Sequence, residues 1–103
     1  MKEITSTDFT TTIKNDAVVV DFFGDGCGNC KAMEPTMAQI EVENKNVTFV
    51  KINIKNAQAQ VEEYDVMTLP TLLFFKNGVL VDKLGGLKPK TLVTRKFAEV
   101  FGV

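Results

Sequence analysis

Histidine is absent from this chain of 103 residues. Cys–His and Ser–His hydrolases, which need an imidazole as general base, are thereby excluded. Only two cysteines are present, so a zinc site of the usual four ligands lacks two soft donors and no metal site is expected. Lys and Arg number 12 against 13 Asp and Glu, a net charge of −1. That balance lacks the clustered basic excess of a nucleic-acid binder. No run approaches the ~20 apolar residues of a membrane span. Met1 to Ile13 shows neither a basic start followed by an apolar core nor a small-residue cleavage site, so the expected compartment is the cytoplasm. No repeat and no nucleotide-binding glycine fingerprint occurs, and no cofactor is expected. With 45% hydrophobic and 24% charged residues, what remains is an ordinary soluble globule. The expectation is one domain, residues 1–103, monomeric, and able to fold without a staple by burying about 60 to 70% of its unfolded surface.

Against these absences the two cysteines, Cys27 and Cys30, stand out. In a cytoplasm that keeps thiols reduced, a C-x-x-C pair reads first as catalytic or metal-binding. It sits where the strand-like run Ala17 to Phe23 gives way to a helical pattern. At the first turn of a helix, residues three apart lie about 5 to 6 Å apart at Cβ, so the spacing suits a reversible disulfide. The unpaired N–H groups and the dipole of a helix N-terminus favour an anion and lower a thiol pKa. Cys27 is therefore the expected nucleophile.

Hydrophobic periodicity supplies the frame. Ser6, Thr7 and Asp8 precede the i, i+4 pair Phe9 and Ile13, marking a short first helix. Ala17 to Phe23 is almost continuously apolar and reads as a central strand covered on both faces. From Cys30, the residues Met33, Met37 and Ile40 make one helical stripe running to about Glu43, with a kink expected at Pro35. Both methionines read as core rather than ligands. Val47 to Ile54 is a second strand and Ala57 to Tyr64 a short helix. Thr71 to Lys76 and Val79 to Leu84 flank Asn77-Gly78, the strongest two-residue hairpin signal. Pro89 suits a helix start, after which Val93, Phe97, Val100 and Phe101 form the last amphipathic face, with Lys88, Lys90, Arg95 and Lys96 as a solvated face. Adding a weak strand near Ile4, the order is β α β α β α β β α. That implies an α/β fold with a mixed sheet of four or five strands, helices on both faces, and the reactive site beyond the carboxyl ends of the strands.

Asp21 interrupts the central strand, and a buried carboxylate is costly unless paired or protonated. It is either a partner of another charge or a base.

The runs Val19-Val20-Asp21-Phe22-Phe23, Cys27-Gly28-Asn29-Cys30-Lys31, Pro35, Val50-Lys51-Ile52-Asn53, Leu69-Pro70-Thr71-Leu72, Phe75-Lys76-Asn77-Gly78 and Leu84-Gly85-Gly86 follow one another in an order and spacing that resembles the thioredoxin family over essentially the whole chain. The resemblance implies a thioredoxin fold and a carrier that reduces disulfides in other proteins through a Cys-Gly-Asn-Cys active site. It also implies recharging by a separate thioredoxin-reductase-type partner. Cys30 is then the resolving cysteine, and Asp21, with Lys51, handles the proton that Cys30 loses, a role suited by a pKa raised toward neutrality on burial. The resemblance further implies a cis Leu69–Pro70 bond beside the disulfide, from which Thr68 or Leu69 pairs its backbone with an extended substrate. Gly85 keeps the docking surface flat, and Gly26, Gly28 and Asn29 belong to that surface.

The chain departs from the family before and between its cysteines. No tryptophan is present; Gly24-Asp25-Gly26 stands where one is usual, and Asn29 replaces a common proline. Two glycines should loosen this loop, and Asp25 should oppose a thiolate on Cys27 by like charge. A specialised oxidant or isomerase, and a non-catalytic binding module on the same fold, stay open as rivals to the protein-disulfide reductase.

Overall fold

Val18, Val19 and Val20 have no exposed surface, because the strand they form runs through the middle of the sheet and is covered on both faces. In the computed structural model, which describes residues 1–102, this strand is β2 (Ala17–Phe23). It follows β1 (Lys2–Ile4) and α1 (Ser6–Thr12). After it come α2 (Gly28–Glu43), β3 (Thr48–Asn53), a 3-10 turn (Ile54–Asn56) and α3 (Gln58–Glu63). The hairpin β4 (Thr71–Lys76) and β5 (Val79–Gly85) precedes α4 (Lys90–Phe101). The sheet order is β1-β3-β2-β4-β5, with β1, β3 and β2 parallel and β4 antiparallel to both β2 and β5. The fold is the thioredoxin fold with five strands, and the element order matches the hydrophobic periodicity of the sequence.

Period-two alternation sorts β2 between two cores. Val18, Val20 and Phe22 join Ile4, Phe9 and Phe75 beneath α1 and α3. Val19 joins Met33, Met37, Ile40, Phe74 and Phe97 beneath α2 and α4, so both methionines are core. Phe97 stacks on Phe49 with ring centroids 5.4 Å apart and meets Phe74 edge-on at 5.3 Å. Truncating such a ring costs about 3 to 5 kcal/mol.

The boundaries differ in instructive places. Helix α2 begins at Gly28, ahead of its apolar stripe, because Cys27 caps it. It runs through Pro35 to Glu43, so the one N–H that proline lacks does not end the helix. Asn77 and Gly78 have φ of 53° and 85°, the left-handed pair that a twisted two-residue hairpin demands. In β5 the register slips so that Phe74 faces Asp82 while Phe75 faces Leu80. Asp82 accepts a bond from Lys96 on α4 at 2.8 Å, and Glu99 lies 3.3 Å from the same ammonium. Lys96 is thus paired and not merely solvated, a correction the bulge explains: periodicity along α4 carries no trace of a shift in β5.

Candidate redox site

At the carboxyl end of β2 the chain turns once and enters α2. The Cys27 N–H bonds to Gly24 O at 3.3 Å, and Gly26 has a φ of +71°, which glycine accepts without strain. This brings Cys27 to the N-cap of α2, where its sulfur accepts the Cys30 N–H at 3.1 Å. Cys27 and Cys30 form a disulfide with Cα atoms 5.3 Å apart, an ordinary separation for the bond. Gly28 and Asn29 lie exposed in the first turn between them.

Behind the disulfide is a cleft of about 450 Å³, with Cys27, Cys30, Gly26, Asp21, Lys51 and Glu34 in its walls. Asp21 and Lys51 face one another in register across β2 and β3. The Lys51 ammonium sits over the Phe23 ring, 5.5 Å from its centroid, while Asp21 Oδ1 is buried without a hydrogen-bond partner among the described residues. Burial pushes the Asp21 pKa up to about 7; Lys51 pulls it down in part and Glu34 pushes it further up. A carboxyl group so placed exchanges its proton near neutral pH.

Asp25 is in a different state from the one its sequence neighbours suggest. Its two carboxylate oxygens accept bonds from Asn53 Nδ2 and Lys55 Nζ, each at 2.9 Å. These bonds hold its carboxyl below the usual carboxylate range. The like charge near Cys27 is therefore matched by a cation, and the glycine-flanked loop is fastened to the end of β3. Sequence reading missed this, because Lys55 is 30 residues away and nothing local marks it.

The Thr68-Leu69-Pro70 loop abuts the same turn. Leu69–Pro70 is cis. A Cβ on Gly24 would lie 2.9 Å from Leu69 Cδ1, and one on Gly85 would lie 2.7 Å from Thr68 Oγ1. Both glycines thus allow close approach of the loop. Thr71 Oγ1 donates to Thr68 O at 2.5 Å, and the Gly86 N–H to Pro70 O at 2.7 Å. Gly24 was read in the sequence only as loosening its loop and Asn53 only as part of a motif run, while Lys55 and Glu34 were passed over. A glycine directly before a charged loop residue was the one available signal, and it reads as a turn.

Comparison with known proteins agrees with this geometry. The family model described as Thioredoxin matches residues 1–99. A thioredoxin of Chlamydia caviae is 37% identical over 95 residues, 92% of this chain and 93% of that one. A thioredoxin of Staphylococcus aureus is 30% identical over 89 residues, 85% of this chain and 86% of that one. Among solved structures, mitochondrial thioredoxin 3 of Saccharomyces cerevisiae in its oxidised form superposes with a TM-score of 0.87 at 28% identity, covering 100% of this chain and 95% of that one.

Proposed function

The chain belongs to the thioredoxin family and is a thiol–disulfide oxidoreductase of the protein-disulfide reductase kind; from that premise we propose how its residues divide the work. Cys27 of the Cys-Gly-Asn-Cys site is the nucleophile. What supports this above all is its sulfur at the N-cap of α2, accepting an N–H and bonded to Cys30. Its thiolate attacks one sulfur of a target disulfide; that bond breaks, a mixed disulfide forms, and the departing target thiolate takes up a proton. Cys30 then loses its proton, attacks Cys27 Sγ and expels the second target thiolate, which takes up a proton in its turn. Two electrons and two protons have passed to the target, and Cys27 and Cys30 are left joined.

Asp21 accepts the Cys30 proton, supported by its place in the shared cleft and its pKa of about 7. Lys51 keeps that pKa from rising further. The gain from a lowered thiol pKa is modest: moving from ~8.5 to ~7 raises the thiolate fraction at neutral pH roughly 16-fold, and a Brønsted slope of ~0.45 removes about fivefold of it. Docking and the intramolecular attack of Cys30 carry the rest. The backbone of Thr68 or Leu69, beside Pro70 and Gly85, pairs with an extended target segment. Gly26, Gly28 and Asn29 form the rest of that surface. A separate dithiol reductase, acting in the cytoplasm on this protein as a monomer, restores the two thiols.

The test is reduction of insulin with a coupled reductase. Multiple turnover should vanish in Cys27→Ser and in Cys30→Ser, and the latter should accumulate a mixed disulfide with its target. Turnover surviving in Cys30→Ser would reject the assignment. A carrier should also show a potential near ~−270 mV, and an oxidant one well above it.

A further inference from the structure

Asn53, at the end of β3, is only 4% exposed, and both ends of its amide are used. Its oxygen accepts the Lys55 N–H at 3.1 Å, and its nitrogen donates to Asp25 Oδ1 at 2.9 Å. Lys55 Nζ closes the ring on Asp25 Oδ2 at 2.9 Å. Three side chains thus join the loop before Cys27 to the 3-10 turn after β3. Gly24 lies close beneath apolar side chains, since a Cβ there would stand 2.9 Å from Leu69 Cδ1 and 3.6 Å from Ile54 Cδ1. Gly26 beyond it has nothing within 4 Å of where a Cβ would stand. The loop is therefore held at Asp25, and Gly26 borders open space immediately before Cys27.

We propose that Lys55 is a positioning residue for Cys27. Through Asp25, and together with Asn53, it fixes the loop leading into the attacking sulfur and cancels the single formal charge that loop carries. The proposal rests on the reading of Cys27 as nucleophile. Lys55 and Asp25 are largely exposed, so either is replaceable without disturbing the core. The other charges sharing the cleft with Cys27 are Asp21 from β2, Lys51 from β3, and Lys31, Glu34 and Glu41 from α2, the last paired with the Met1 amine. They are common to every variant below, so differences among variants report on Lys55 and Asp25.

Thiolate absorbance titration of the reduced protein tests it, in parallel with insulin reduction. Lys55→Gln should raise the Cys27 pKa and Asp25→Asn lower it. Each should change the thiolate fraction at neutral pH about two- to threefold, the size a unit charge several Å away exerts through a water-like medium. The double variant should return close to the parent, Lys55→Arg should match the parent, and the single-variant shifts should shrink in 1 M salt. Single variants that leave the pKa unmoved, or move it in the same direction, overturn the role of Lys55. Failure of the parent to reduce insulin would instead reject the function, whatever the titrations gave; an active parent with the wrong ordering rejects the positioning role alone.

Discussion

Asp21 and Asp25 are four residues apart on one stretch of chain, and each is matched by a lysine on the neighbouring stretch, Lys51 and Lys55, also four apart. The two carboxyl groups nevertheless end in opposite states. Asp21, on the floor of the cleft, is driven up to about 7 by burial, with one oxygen left without a partner among the described residues. Asp25, on the rim, is exposed and held down by two hydrogen bonds. Lys51 stands over Phe23 and acts on Asp21 only through space, whereas Lys55 bonds to Asp25 directly. One aspartate is kept ready to change its charge and the other is prevented from doing so. Desolvation decides the first and pairing the second, because water on the rim removes most of the burial penalty and leaves room for a bond.

The largest effect that could break this comparison is in stability. Asp21 holds its proton more tightly folded than unfolded, so stability from this group is full below the unfolded pKa of about 3.9 and is lost as pH rises through about 7. The loss between pH 4 and pH 8 is on the order of 4 kcal/mol. Urea unfolding of the oxidised protein should show that Asp21→Asn removes most of this decline, so that the variant gains on the parent at pH 8 and not at pH 4. An equal difference at both pH values would mean that Asp21 is solvated like Asp25.

A second effect is kinetic. Asp21→Asn should slow release of target from the mixed disulfide by about 10²-fold near neutral pH, the lower range for a positioned general base. Lys51→Met removes the cation that lowers the Asp21 pKa. The inflection in that rate should then move to higher pH, while Lys55→Gln leaves it in place. If both lysine variants moved it equally, the two pairs would be one network and the contrast would fail.

How much of this was legible in the sequence follows the same division. The Val18–Val20 run announced a central strand because β-branched residues without polar interruption need cover on both faces. Asn77-Gly78 announced its hairpin because few pairs tolerate two positive φ angles. Asp21 was visible as a charge in an apolar strand. The first turn of α2 was placed by the switch from strand to helix at the two cysteines, but the bond that caps it was not, since the cap is a cysteine sulfur and cysteine is no ordinary capping residue. Lys55 and Lys96 were invisible for a shared reason. Each finds its acid on another element, Asp25 across 30 residues and Asp82 across 14, at a register that only the assembled sheet and its bulge determine.

A smaller, severalfold effect is expected on the far side of the cysteines, where neither carboxylate is touched. Gly85→Ala places a methyl group 2.7 Å from Thr68 Oγ1, and Thr68 must shift to relieve the contact. KM for a protein disulfide should rise, with the Cys27 titration and the Asp21-dependent inflection unchanged. A moved titration would show that the docking loop and the two carboxylates are not separate.

The smallest effect concerns the order of the rim itself. Because pairing lowers the Asp25 pKa, the contribution of the Asp25–Lys55 bond is present above the ordinary carboxylate range and is lost only as pH falls through that lowered value. Salt, unlike mild acid, should therefore open it at neutral pH, since exposed ion pairs are weak and screened. Hydrogen exchange at the amides of Asp25 and Gly26 should quicken in 1 M salt and in Lys55→Gln. Amides of β2 around Asp21 should keep their protection under both conditions, because that carboxyl group is shielded from solvent ions. Equal quickening in the two places would mean that floor and rim open together, and then the loop before Cys27 would be ordered by the core rather than by Lys55.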